Sequence, residues 1–229
     1  MGIVNVTPDS FSDGGLYFDA VKAIEHGRAL ADAGADVVDV GGESSRPFSE
    51  SVTVEEETRR VIPVVEGLAK RLSVPVSIDT TKAAVARRAI DAGACIINDI
   101  GAMRLDPDMA PLVAGARVPV ILMHMKGTPK DMQVEPSYGD VVSEVTAFFQ
   151  KVLARTEQAG IGRDKVIIDP GIGFGKTVTH NLLLIKHLSV FHNLGVPILI
   201  GPSRKSFITK ILGSGPGEGG EVGTQAAVA

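Results

Sequence analysis

Asn5, Asp79, Asn98 and Asp169 each close a short run of apolar residues. A polar side chain in that position faces the mouth of a buried region, where every donor or acceptor needs a partner. Asp79, when ionised, offers acceptors only, whereas Asn98 offers both donors and acceptors. Together with Asp169 they could bracket a flat heterocycle carrying N–H and carbonyl groups. Any one of them could equally cap the next helix or pin its loop. That explanation weakens when all four must be covered by it.

Two further segments carry charge. Gly201-Pro202-Ser203-Arg204-Lys205-Ser206 follows the seventh apolar run. It suits an anionic group, with Arg204 and Lys205 as cations and backbone N–H groups as donors. On composition alone, the same pair reads as a solvated surface pair. Gly41-Gly42-Glu43-Ser44-Ser45-Arg46-Pro47 offers a hydroxyl and a guanidinium, and Arg46 can grip a carboxylate or phosphate with two hydrogen bonds. The polar stretch from Asn5 to Gly15 is a candidate lid. The run Pro170-Gly171-Ile172-Gly173-Phe174-Gly175-Lys176-Thr177 resembles a nucleotide P-loop, but Pro170 occupies the first glycine position and lacks the N–H that a phosphate cradle needs. His124 closes the fifth apolar run with no second His or Cys near it in sequence, so it reads as a satisfied histidine at the core's edge.

The segments that position these groups repeat. Apolar runs end at Asn5, Asp39, Asp79, Asn98, His124, Asp169 and Gly201, and helical patterns lie between them. The clearest pattern places Val61, Ile62, Val65, Leu68 and Leu72 three and four apart, after a capping box of Thr53 and Glu56. Another runs from Val141 to Leu153, with Gly160 placed to end it. Asp32-Ala33-Gly34-Ala35 before one apolar run echoes Asp91-Ala92-Gly93-Ala94 before another. Seven such units imply parallel strands joined by helical crossovers. Because every strand carries a polar group at its C-terminal end, a closed barrel that gathers those ends on one rim is favoured over an open doubly wound sheet. The predicted fold is a TIM (β/α)8 barrel, one domain over 1–229. The sequence reads as cut at both ends, with the eighth strand and helix missing and residues 223–229 beginning a helix.

Composition agrees with this architecture. Of the 229 residues 44% are hydrophobic but only 4% aromatic, with no Trp, so the core must be Val, Ile, Leu and Ala. A net charge of −4 and a pI near 5.7 exclude a nucleic-acid surface as the expectation. No apolar run reaches the ~18–20 residues of a membrane span, and no signal pattern opens the chain, which points to the cytoplasm. Cys95, in an apolar run, reads as a buried small hydrophobe. Zinc and acyl-enzyme motifs are missing.

Taken in order, Met1 to Phe11, Asp39 to Pro47, Ser77-Ile78-Asp79, Ile97-Asn98-Asp99-Ile100, Leu122-Met123-His124, Asp169 to Lys176 and Ser203 to Ser206 resemble the motifs of dihydropteroate synthases, pterin-binding barrels that are sulfonamide targets. The resemblance implies a transferase of folate biosynthesis that condenses 6-hydroxymethyl-7,8-dihydropterin pyrophosphate with p-aminobenzoate. It implies that Asp79, Asn98, Asp169, Lys205, Phe174 and Met123 hold the pterin, and that Ser45, Arg46, Pro47, Phe11 and Ser206 shape the p-aminobenzoate side. Asp79, Lys205, Arg46 and Asp13 would serve catalysis, Asn5 would ligate Mg2+, and the complete protein would be a homodimer.

Three departures stand out: Ser45 replaces the usual Thr, Phe48 the usual Gly, and an eighth-strand Arg-x-His motif is lacking. The last suggests a chain that binds pterin better than it turns over. A methyltetrahydrofolate-dependent methyltransferase is the nearest alternative enzyme, though it needs no pyrophosphate site. A non-catalytic pterin-binding fragment is the alternative of a different class.

Overall fold

The computed structural model describes residues 1–7, 16–46, 49–213 and 220–229, with the backbone only at 16–19. The strands are β1 (Gly2–Asn5), β2 (Val38–Gly41), β3 (Val76–Asp79), β4 (Ile96–Asp99), β5 (Val120–Met123) and β6 (Val166–Asp169). The helices are α1 (Leu16–Asp32), α2 (Val54–Ala69), α3 (Ala83–Asp91), α4 (Met109–Ala116), α5 (Val141–Gln158), α6 (Val178–Lys186), α7 (Ser206–Leu212) and α8 (Gly220–Val228). All strand pairs are parallel and the sheet order is β1-β2-β3-β4-β5-β6. A doubly wound sheet reverses its strand order at a switch point, whereas one that never reverses winds in one direction, as a barrel does. The fold is therefore α/β of the TIM-barrel type.

The seventh apolar run is a correction to the sequence reading. It forms no strand of its own but a single parallel bridge, Ile198 to Ile168. Ile168 N–H donates to Pro197 O (3.0 Å), and Leu199 N–H donates to Ile168 O (2.8 Å). Pro197 in this segment and Pro170 just after β6 lack the N–H groups that the next rungs on either side require. Among the described residues, no pairing joins this segment to β1.

Three helix-to-strand turns are built alike. Gly34 (φ +99°), Gly93 (φ +112°) and Gly160 (φ +83°) take left-handed conformations. The next residue's N–H reaches back into the helix, from Ala35 to Leu30 O, Ala94 to Ala89 O and Ile161 to Thr156 O. The third copy, at Gly160, joins the two visible as a sequence echo. At α2 the predicted capping box is half made. Thr53 accepts from Glu56 N–H (3.2 Å), but the Glu56 carboxylate turns to Arg59 and Arg60. Bonds to two guanidinium cations outweigh one to a backbone N–H. Asp140 caps α5 by accepting from Ser143 N–H (2.6 Å).

The registers divide each strand between two faces. Val4, Val40, Ile78, Ile97, Leu122 and Ile168 belong to the main core beneath the helices. The alternate residues point to the other face. Asn5, Gly41, Asp79 and Asn98 are successive register partners across β1 to β4, and Met123 pairs with Asp169 further along. In a parallel sheet, register partners project on the same side. Cys95 is exposed, contrary to the sequence reading, because Ala94 and Ile97 take the buried positions around it. No helix among the described residues is long and apolar enough to cross a membrane.

Candidate active site

At the C-terminal ends of the strands, on the face away from the helices, the polar residues form a half-buried layer. Asn98 Nδ2 donates to Asp39 Oδ2 (3.0 Å), so Asp39, second in β2, orients the amide. Asp39 is 2% exposed, and the buried Ser77 hydroxyl beside it works against the effect of burial on its carboxyl. Burial raises the Asp39 carboxyl. Asp79 lies on the neighbouring strand, and its carboxyl is pushed well above the usual range, first by burial and then by the like charges of Asp39 and Glu57. In the free protein the proton is thus held more tightly than on an ordinary carboxyl, and a hydrogen-bond donor or a positive charge brought by a ligand favours the carboxylate.

Lys205 supplies the opposing charge. Its Nζ lies 3.9 Å from the centre of the Phe174 ring. Burial lowers its affinity for a proton, while Asp169 and Asp79 pull it back up, so the three charges share one space. Asp169 is raised to about 6 by burial, opposed by the Gly171 N–H, which donates to its Oδ1 (2.7 Å), and by Lys205 and Lys176. Met123 is 2% exposed and packs with Met125 and Met132 against Phe174 and Ile100, forming an apolar floor beside the charged layer.

The loop after β6 is held by Lys176. This side chain is 4% exposed, and its Nζ donates to Phe174 O (2.8 Å) and His124 O (3.2 Å) and meets His124 Nδ1 at 3.1 Å. Burial, then the Lys176 charge, lowers His124 to about 3, so the ring is neutral and Nδ1 can accept. Burial brings Lys176 itself down to about 7. His124 is thus a satisfied histidine at the core's edge, edge-on to Phe148 with ring centres 4.8 Å apart. Gly173 N–H donates to Asn181 Oδ1, and Gly173 O accepts from Gln133. This loop is therefore a framework, not a nucleotide cradle.

A cavity of about 550 Å3 opens beside this layer, lined by Ser45, Glu43, Asp79, Thr81, Lys82 and Lys130 among others. Asp79 belongs to both the charged layer and the cavity wall, whereas Asn98, Asp169, Lys205, Phe174 and Ser206 lie outside the cavity's lining. Ser45 is half-buried and Arg46 exposed, in a loop where Arg46 N–H donates to Ser44 Oγ (3.3 Å). Asn5 is exposed at the end of β1, and Ser206 is exposed at the start of α7. Phe11, Asp13, Pro47 and Phe48 lie outside the described residues.

The sequence reading thus has Asp79, Asn98, Asp169, Lys205, Phe174 and Met123 brought together, with Ser45 across the cavity. It missed Asp39, Ser77, Glu57, Lys82 and Lys176. Among the described residues, no group of three or more His, Cys, Asp or Glu side chains is placed to hold a metal ion.

Comparison with known proteins completes the picture. The sequence profile described as "Pterin binding enzyme" matches residues 1–229. The dihydropteroate synthase of Escherichia coli K12 is 50% identical over 218 residues, which are 95% of this chain and 77% of that protein. A Xanthomonas albilineans dihydropteroate synthase structure with 4-aminobenzoic acid superposes with a TM-score of 0.93 at 49% identity, covering 100% of this chain and 81% of its own. The same species' enzyme in complex with 7,8-dihydropteroate gives 0.89 at 46% identity, again over 100% and 81%. With its charged layer, apolar floor and adjoining cavity on a pterin-binding barrel, the chain belongs to the pterin-binding enzyme family and, within it, to the dihydropteroate synthases, which are transferases.

Proposed function

We propose that this chain condenses 6-hydroxymethyl-7,8-dihydropterin pyrophosphate with p-aminobenzoate, using the charged layer for the pterin and the adjoining cavity for the amine. The observation that carries the reading is the layer itself: Asp79, Asn98, Asp169 and Lys205 offer alternating acceptors and donors around an apolar floor of Met123 and Phe174. A flat ring with N–H and carbonyl edges matches that arrangement. Relatives near half identity that are synthases favour this reading over a methyltransferase.

In the reaction the C–O bond between the pterin methylene and the diphosphate breaks, and the electron pair leaves with the diphosphate. The aniline nitrogen then forms the C–N bond and gives up a proton to solvent. Asp79, as carboxylate, stabilises the electron-poor pterin through the reaction. Lys205 donates to the pterin edge while Phe174 holds its ammonium in place. Ser45 and Arg46 orient the benzoate.

A magnesium ion bound with the diphosphate would neutralise leaving charge. Asn5, an exposed hard oxygen donor in register with Gly41 and thereby level with Asp79, fits such an ion. Mg2+ keeps several waters and relies on substrate phosphates, so one neutral protein oxygen beside the diphosphate would add to a coordination shell that the substrate itself largely supplies. Asn5→Ala is expected to weaken magnesium-dependent diphosphate binding about tenfold or more, with magnesium-free pterin binding unchanged. Calorimetry with and without magnesium separates the two, and equal losses in both would count against Asn5. Exposed Ile211, Leu212, Val222 and Val228 on α7 and α8 support the reading of a homodimer, here a cytoplasmic one, through the late helices.

Pterin affinity should depend on pH through Asp169. Its pKa is raised to about 6 in the free protein, and a ligand that needs the carboxylate displaces a proton. Affinity therefore rises as pH goes from 5 to 7, with the raised Asp79 carboxyl acting in the same direction. Calorimetry in buffers of different ionisation enthalpy counts the released proton; a flat affinity over that range contradicts the role. For the reaction itself, labelled p-aminobenzoate supplied with the pterin diphosphate should appear in dihydropteroate with equimolar diphosphate. Tight pterin binding without product would overturn the proposal.

A further inference from the structure

Lys82 is not part of the charged layer, yet it ties together three elements that surround the cavity. It precedes α3, three residues after Asp79, and is a fifth exposed. Its Nζ donates to Glu57 Oε2 (2.6 Å) on α2 and to the Glu43 carboxylate in the loop after β2. Glu57 is fully buried and its Oε1 has no hydrogen-bond partner, so Lys82 is the cation that accounts for its charge.

Glu43 lies two residues before Ser45, and Glu43, Glu57, Lys82, Ser45 and Asp79 all line the cavity. A second arm reaches the same loop, because Arg60 Nη1 on α2 donates to Gly42 O (2.9 Å). The backbone there lies directly on the helix, since a Cβ on Gly42 would come within 2.6 Å of Val61 Cγ1. The loop that carries Ser45 and Arg46 is therefore pinned at Gly42 by Arg60 and at Glu43 by Lys82, and beyond these anchors its bonds are local, from Arg46 N–H to Ser44 Oγ and from Ser49 to Ser44 O and Arg46 O.

We infer that Lys82 is a positioning residue for the amine substrate: through Glu43 it sets the height of Ser45 and Arg46 above Asp79, and so tunes p-aminobenzoate binding. The inference rests on the proposed assignment of the β2 loop to p-aminobenzoate. It makes Glu43 a lever, because this carboxylate is half-buried and can be neutralised while the buried Lys82–Glu57 pair stays whole.

The test begins with Glu43→Gln in the full chain. The KM for p-aminobenzoate is expected to rise about tenfold, as for one charge-assisted hydrogen bond lost. The KM for the pterin diphosphate and the melting temperature stay unchanged, and backbone amides of 42–46 exchange faster with deuterated water. Lys82→Arg should keep both constants near the parent's. Lys82→Met should show the same split and also melt earlier, because Glu57 is left buried without a counter-charge. Adding Glu57→Leu to Lys82→Met should restore the melting temperature but not the KM. An unchanged KM for p-aminobenzoate in Glu43→Gln, or a rise shared by both substrates, overturns the inference. Should the parent make no product, the proposed reaction fails and the exchange measurement decides the clamp alone: unchanged protection of 42–46 overturns it.

Discussion

Asp79→Ala is expected to cost about 2–5 kcal/mol of pterin affinity, the range for removing one partner of a buried charged hydrogen-bond pair. That is about 30-fold at the low end. The loss should come without a loss of stability, and the companion variant shows why. In the free protein burial and neighbouring acids raise the Asp79 pKa well above that of the unfolded chain. The native state then holds the proton more tightly than the unfolded state, so ionising Asp79 reduces stability as pH rises from near 4 towards the raised value. Asp79→Asn removes that burden. It should melt higher than the parent at pH 7.5, by about 2–4 °C for each kcal/mol relieved, and lose the advantage near pH 4. Calorimetric titration with a pterin and thermal melts at the two pH values check both halves. Unchanged pterin affinity in Asp79→Ala would remove Asp79 from the site.

Gly171→Ala should damage fold and site together. Gly171 has φ +71°, and a Cβ there would overlap the backbone carbonyl oxygen of His124 at the end of β5. The left-handed conformation costs an alanine about 1–2 kcal/mol and the overlap about 1–3 more. Together these should lower the melting temperature by roughly 5–15 °C. The loop can escape only by moving away from β5, which breaks the Lys176 bonds to His124 and disturbs the Gly171 N–H bond to Asp169. Pterin affinity should therefore fall as well. Gly160→Ala is the control, since its φ is +83° but a Cβ would meet nothing within 4 Å. It should show the conformational cost alone. Equal melting temperatures for the two variants would mean that the β5 contact does not hold the loop.

These consequences were unevenly legible in the sequence. The strand ends at Asp79, Asn98 and Asp169 could be read because a polar residue after several apolar ones breaks the pattern at the place where a barrel opens. Asp39 and Ser77 also face the inner side, but they sit inside their strands. Asp39 looked like an ending because the run before it is apolar, when in fact β2 continues to Gly41. The burial of Lys176 was hidden by a glycine-rich stretch that invites a phosphate reading. Its role depends on His124, 52 residues away, and spacing does not report such a contact. The Lys82–Glu57 pair spans 25 residues and two helices, and in sequence each looks like a solvated charge. The α2 cap was seen correctly at Thr53, but Glu56 had arginines three and four residues on, a better offer than the backbone. The seventh run reads as a strand because nothing in it shows that Pro170, at the end of β6, is the residue it must pair with next.

All of this depends on Asp79, Asn98, Asp169 and Lys205 acting on one flat ligand. The most direct measurement is a crystal structure of the protein soaked with the pterin diphosphate and magnesium. The ring is expected between Asp79, Asn98 and Asp169, with Lys205 at its edge, Met123 beneath it and the diphosphate towards Asn5. A ring bound solely in the cavity beside Thr81 and Lys130, leaving Asn98, Asp169 and Lys205 without contact to it, would contradict the assignment.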